Sequence, residues 1–245
     1  MRLTKLPITK YLEKLSSDYD SYSLSSTDED RIEPLEEVIK IHQLNFKYWI
    51  TITPYKFVPN DEQGREIIHK ENQFLRRHLR KFFKYDLKIW FFTEEYKDAS
   101  SKHFGGLHRH ILLEDLPNEY WDKMTLPRGV DRFLLQRFPD IYFDLQYGNI
   151  PTYKQKEQLL NSVCRLCNQV GNGNKSLVIK PVHNLHKLIG YSTKQIRENN
   201  QNNWNNSAQI IDFENSDFLH EINIKTNERQ QFLNRSKTVF ARTDL

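Results

Sequence analysis

Two histidines separated by one residue open an apolar run in Gly105-Gly106-Leu107-His108-Arg109-His110-Ile111-Leu112-Leu113-Glu114. In a strand the side chains alternate faces, so His108 and His110 project to one side while Leu107, Arg109 and Ile111 project to the other. Two imidazoles converging from one strand are a proposition for a divalent metal, because neutral ring nitrogens suit transition ions. The same pair could instead sit on the polar face of a half-buried strand, so the reading depends on what the chain places nearby.

A candidate nucleophile lies downstream. His183 to Ile196 has helical periodicity, with Leu185, Leu188, Ile189 and Ile196 on one face and Asn184, Lys187, Tyr191 and Lys194 on the other side. Tyr191 is therefore expected outside the core. Lys194 follows it by one turn, where an ammonium can stabilise a phenolate or a phosphate oxygen. The spacing alone is common, since Tyr11-Leu12-Glu13-Lys14 repeats it. A third element, Tyr48-Trp49-Ile50-Thr51-Ile52-Thr53, reads as a strand with Ile50 and Ile52 on one face and Trp49, Thr51 and Thr53 on the other. That hydroxyl-bearing face suits a floor for a polar ligand, and equally a half-solvated sheet surface.

In this order the three elements resemble the HUH endonuclease superfamily, specifically the single-tyrosine initiators of rolling-circle replication. Ile50-Thr51-Ile52-Thr53 is similar to the family's first motif, His108-Arg109-His110 to its metal motif, and Tyr191-Ser192-Thr193-Lys194 to its nucleophile motif. The resemblance extends from Lys47 to Arg197. One departure is clear: Arg109 stands where the family usually carries a bulky apolar residue. Its stem could pack while its head reaches solvent, or it could contact DNA.

The resemblance implies an α+β fold, a central antiparallel sheet of about five strands with the metal and tyrosine on one face and helices on the other. It also implies a third metal ligand from the preceding strand, Leu87 to Thr93, which ends in Glu94-Glu95. The family places the acid at the very end of that strand, which favours Glu95; Glu94 is the alternative, because parity depends on the pairing register. Ser100, Ser101, Gly105 and Gly106 fit a long hairpin loop between the two strands.

The implied chemistry is metal-assisted strand transfer. A divalent ion on His108, His110 and a glutamate would polarise a DNA phosphodiester, and Mn2+ accepts imidazole more readily than Mg2+. Tyr191 would attack, assisted by Lys194, leaving a 5′-phosphotyrosine and a free 3′ hydroxyl, in a step that the conserved bond energy makes reversible. Gln195 excludes a second tyrosine at Y-x3-Y spacing. The implied partner is single-stranded or hairpin origin DNA, with host helicase and polymerase, since Gly171 to Ser176 is not a Walker motif and no helicase domain is evident. Thr51, Thr53 and Lys187 are expected to contact DNA, as are Arg76, Arg77 and Arg80 of a basic helix spanning Glu62 to Lys84. A transposase or mobilisation relaxase would use the same site. A non-catalytic sheet module binding single-stranded nucleic acid is the reading of a different class.

Composition is compatible with this reading. The 245 residues are 38% hydrophobic and 13% aromatic, enough for one small catalytic domain with extensions. No apolar run suits a membrane span or a signal peptide, which predicts a soluble, cytoplasmic protein without a membrane partner. Ser16 to Glu37 holds eight acids against one arginine, a net of −7, and the overall +4 leaves the remainder at +11. A basic remainder suits a polyanion, and the acidic, Ser-rich tract reads as a flexible arm. The organisation expected is therefore a basic N-terminal segment and acidic arm over 1–40, an endonuclease domain over 41–198, and an Asn-rich linker with a tail over 199–245. Cys164, Cys167, His183 and His186 spell C-x2-C-x15-H-x2-H, but the histidines are too close for the usual zinc spacing and the cysteines fall in a helix, Lys154 to Gln169. Helices are also predicted over Asn118 to Met124, Asp131 to Phe138 and Glu228 to Lys237, and strands over Ile141 to Leu145, Ser176 to Ile179 and Glu221 to Ile224.

Overall fold

A computed structural model of the protein describes residues 22–24, 28–54, 56–97, 99, 104–167, 177–200 and 210–220. Strands β1 (Phe46–Ile52), β2 (Ile89–Glu95), β3 (Leu107–Glu114) and β4 (Leu177–Pro181) form one antiparallel sheet in the order β2-β3-β1-β4. Helices α1 (Glu29–Ile41), α2 (Glu62–Phe83), α3 (Arg128–Arg137), α4 (Pro139–Gln146), α5 (Tyr153–Cys167) and α6 (Leu185–Asn200) complete the α+β arrangement.

The sheet has four strands among the described residues, against the expected five or so. An irregular segment, 210–217, occupies the outer edge of β2 instead. Thr93 N donates to Ile210 O (2.7 Å), Asp212 N to Phe91 O (3.1 Å) and Asp217 N to Ile89 O (3.0 Å). Ser216 Oγ and Asp217 Oδ2 accept from the N–H groups of Phe91 and Ile89. An open edge would expose a row of unpaired backbone groups, and this segment covers that edge.

Helices cover both faces of the sheet, which corrects the one-sided arrangement. Ile50, Ile52, Phe91, Ile111 and Ile179 point to one side, where Leu75, Leu79 and Phe83 of α2 and Leu159, Leu160 and Val163 of α5 join them. Trp49, Trp90, Phe92 and Leu112 point to the other, beneath Ile32, Leu35 and Val38 of α1 and Leu188 and Ile189 of α6. Those four large side chains make the second face as apolar as the first over much of its area, and an uncovered surface of that kind would not stay solvated.

The acidic tract is the source of part of that cover. Residues 29–37 were expected in a flexible arm, yet they form most of α1, because Ile32, Leu35 and Val38 make an apolar stripe within the acidic sequence. Ile141 to Leu145, expected as a strand, lies in α4: Ile141 and Leu145 are one turn apart, both are buried, and Pro139 occupies the first turn. Asn118 to Met124 holds only a short 3-10 turn over Asn118–Trp121. The strand and helix predicted after residue 220, and Tyr11, lie outside the described residues. No helix among the described residues is long and apolar enough to cross a membrane.

Candidate metal centre

The β2–β3 hairpin sets the register that parity alone leaves open. Gly105 adopts φ +77°, a conformation suited to glycine, and its N–H donates to Tyr96 O (2.9 Å) while Tyr96 N–H donates to Gly106 O (2.8 Å). From this closure Glu94 pairs with His108 and Phe92 with His110. Residues directly opposite on antiparallel strands share a face, so Glu94 joins the two histidines. Glu95 pairs with Leu107 and turns to the other side, where its carboxylate accepts from Asn60 Nδ2 (2.7 Å). The preference for Glu95 is thereby corrected to Glu94.

Three donor atoms converge. His110 Nε2 lies 2.9 Å from Glu94 Oε2 and 3.1 Å from His108 Nε2, and His108 Nε2 lies 3.5 Å from the same Oε2. Donors at right angles around an ion bound at about 2.1 Å are separated by about 3.0 Å, so this triangle has the dimensions of one side of a metal coordination shell. It is the one such group of His, Cys, Asp or Glu among the described residues. Thr51 Oγ1 is 3.0 Å from His110 Nδ1, and when Nδ1–H donates to it the Nε2 lone pair points into the triangle. A single Nε2 proton could serve only one of the two short contacts; a cation would serve all three.

Charge states match this role. Burial pushes the Glu94 carboxyl up, but hydrogen bonds from His108 and His110 and the charge of Lys194 outweigh it and hold the group well below the usual range. Burial pulls His110 down to about 4, against the opposing pull of Glu94. The centre thus offers the Glu94 carboxylate and a neutral His110 imidazole, and Glu94, His108 and His110 are 6%, 1% and 0% exposed. Metal binding requires such deprotonated donors.

Helix α6 brings Tyr191 to the same face. Its ring centroid lies 5.7 Å from that of His110 and 5.9 Å from that of Trp49, both edge-on. Lys194 Nζ sits 3.5 Å from the Tyr191 ring centroid and donates to Glu94 Oε1 (2.6 Å). Contrary to the one-sided reading of α6, Tyr191 is only 2% exposed. The sheet lies on one side of the helix and the N-terminal elements on the other: Tyr22 meets the Tyr191 ring at 5.6 Å, and Leu24 and Ile32 approach Gly190 so closely that an added Cβ would fall 2.4 Å and 3.0 Å from them.

Two residues at the centre carry no clear sequence signal. Gln195 clamps α6 to the end of β2, accepting from Glu95 N (3.0 Å) and donating to Glu95 O (3.1 Å). Tyr96 stacks on His108 at 4.2 Å and shares a hydrogen bond with Thr53. A polar residue on a helix and a tyrosine just past a strand end are both common, and only the third dimension distinguishes these two.

The expected DNA-contacting residues divide. Thr51 and Thr53 are buried partners of His110 and Tyr96. Arg76 and Arg80 are engaged internally with Asp217, and Arg80 also with Leu87 O (3.0 Å). Arg77 is exposed. Lys187 lies in the first turn of α6, its N–H donating to Asn184 Oδ1 (2.9 Å). Arg109 is fully buried and meets Glu71 (2.8 Å) and Asn72 Oδ1 (3.2 Å) on α2, which settles how that side of β3 is covered. Of the C-x2-C and H-x2-H residues, Cys164 is buried in the apolar core beneath the sheet, and His186 pairs elsewhere, with Glu36 (2.8 Å) and Glu29 (3.3 Å) of α1.

Compared with protein-family models, with curated proteins and with solved structures, the chain matches none.

Proposed function

We propose that the chain is a metal-dependent DNA strand transferase that initiates rolling-circle replication, with Tyr191 as nucleophile. The observation that carries this reading is the placement of Tyr191, Lys194 and the Glu94-His108-His110 triangle on one sheet face. A divalent ion held by those three donors, Mn2+ or Mg2+, would supply charge stabilisation at the non-bridging oxygens of a phosphodiester. Thr51 orients His110, and Gln195 fixes the helix bearing Tyr191 to the strand bearing Glu94.

The reaction is a displacement at phosphorus. The Tyr191 phenol forms a bond to phosphorus and passes its proton to solvent; the bond from phosphorus to the 3′ oxygen breaks, and that oxygen takes a proton from solvent. The products are a 5′-phosphotyrosine and a 3′ hydroxyl able to prime synthesis. An unperturbed tyrosine ionises near pH 10, so the ammonium of Lys194 serves the developing phenolate. Because Tyr191 and the metal donors are buried, substrate engagement requires Tyr22, Leu24 and α1 to move off α6.

A labelled single-stranded oligonucleotide incubated with Mn2+ or EDTA and run under denaturing conditions tests the reading. A covalent adduct formed with Mn2+, lost in EDTA and lost in Tyr191→Phe is expected. An adduct that survives in Tyr191→Phe would reject the nucleophile.

A further inference from the structure

The outer side of α2 carries groups that the metal centre does not use. At about 3.6 residues per turn, Ile68, Leu75, Leu79 and Phe83 face the sheet, and the opposite side presents Ile67, Lys70, Phe74, Arg77, His78 and Lys81. Ile67 and Phe74, apolar residues on this outer side, are 45% and 51% exposed.

Aromatic rings follow one another at each turn here, Phe74 exposed on the outer side and Phe82 turned in against Phe133 and the core. Phe74 and His78 have centroids 6.4 Å apart with planes 28° from parallel, and His78 and Phe82 have centroids 6.5 Å apart with planes at 22°. Nucleic-acid bases stack on such side chains whatever their identity.

Charge accompanies the rings. No acid occurs from Asn72 to Tyr85. Arg76 and Arg80 neutralise Asp217, whereas Arg77, Lys81 and Lys84 form no ion pair among the described residues. Like charges at the Arg77 and Lys81 spacing disfavour a helix, and a polyanion would relieve that repulsion. A duplex would match the cations but hide its base faces. We infer that the outer face of α2 is a docking track for single-stranded nucleic acid, on the opposite side of the sheet from the metal centre and independent of it.

Fluorescence anisotropy with labelled dT20 and the full chain in EDTA tests this, because removing divalent ions leaves the track intact. Phe74→Ala is expected to weaken binding about five-fold or more. Arg77→Gln with Lys81→Gln should make the slope of log affinity against log salt shallower by about 1.4, two phosphates at about 0.7 each. Phe74 is half exposed, and unchanged thermal melting of its variant would confirm that folding is preserved. Unchanged affinity in both the Phe74 and the Arg77/Lys81 variants would overturn the inference, as would equal weakening of a 20-base-pair duplex by Phe74→Ala. Failure of Tyr191 to form an adduct leaves these binding results standing, so the two readings fall separately.

Discussion

The two faces of the β2–β3 hairpin differ by one residue in sequence and completely in how they treat charge. On one side Arg109 is buried against Glu71 and Asn72, and Glu95 accepts from Asn60, so each charge faces a complementary partner. On the other side His108 Nε2, His110 Nε2 and Glu94 Oε2 converge to within 3.5 Å of one another. Complementary pairing is what a fold needs to bury charge. Convergent ligating atoms are what a cation needs, and that asymmetry sets a structural face against a candidate metal centre.

The largest effect should follow from truncating the side chains on either face of the hairpin. His108→Ala, His110→Ala and Glu94→Ala are each expected to lower Mn2+ affinity at least 100-fold by calorimetry, while Glu95→Ala stays within a few-fold. Strong loss in Glu95→Ala with none in Glu94→Ala would invert the comparison and the strand register with it.

Arg109 tests the opposite side. Arg109→Ala should lower stability by about 1–2 kcal/mol in denaturant melts, a value reduced from that of a fully buried pair because Glu71 is 41% exposed. Mn2+ affinity should be retained. A large loss of metal binding without a loss of stability would mean that the two faces are not separable in this way.

Thr51→Val sharpens the boundary between the centre and its support. The variant removes the partner of His110 Nδ1 at little change in volume, and an approximately 10-fold fall in Mn2+ affinity is expected from loss of such an orienting bond. If single-stranded DNA affinity in EDTA falls instead, Thr51 contacts DNA directly.

The smallest effect concerns the cover over α6. Burial lowers the His186 pKa, but the Glu36 and Glu29 carboxylates outweigh it and raise the group above its ordinary 6.5. A folded-state value above the unfolded one means that the contribution is complete below about pH 6.5 and fades as pH rises through the folded value. Hydrogen exchange in α1 should therefore quicken, relative to the intrinsic rate, between pH 6 and pH 8. His186→Gln should remove that dependence; an unchanged profile would show that these pairs do not hold α1.

Short-range periodicity makes the individual parts legible. Alternation places His108 with His110 and Trp49 with Thr51, and the 3.6-residue repeat identifies α2 and α6. It misreads Ile141 to Leu145 because five residues, apolar apart from Asp144, fit two periods. Arg76 and Arg80 look available in sequence, since their partner Asp217 lies more than 130 residues away.

Residue types and local spacing thus determine which groups have metal-binding or nucleophilic chemistry and roughly which elements carry them. The choice of Glu94 over Glu95 depends on hairpin register, a property of two strands that neither possesses alone. The burial of Tyr191, the docking of α1 and the capture of the β2 edge by residues 210–217 depend on contacts between distant segments. Each was decided by tertiary packing, because an apolar stripe or an unpaired edge specifies that it must be covered without specifying by what.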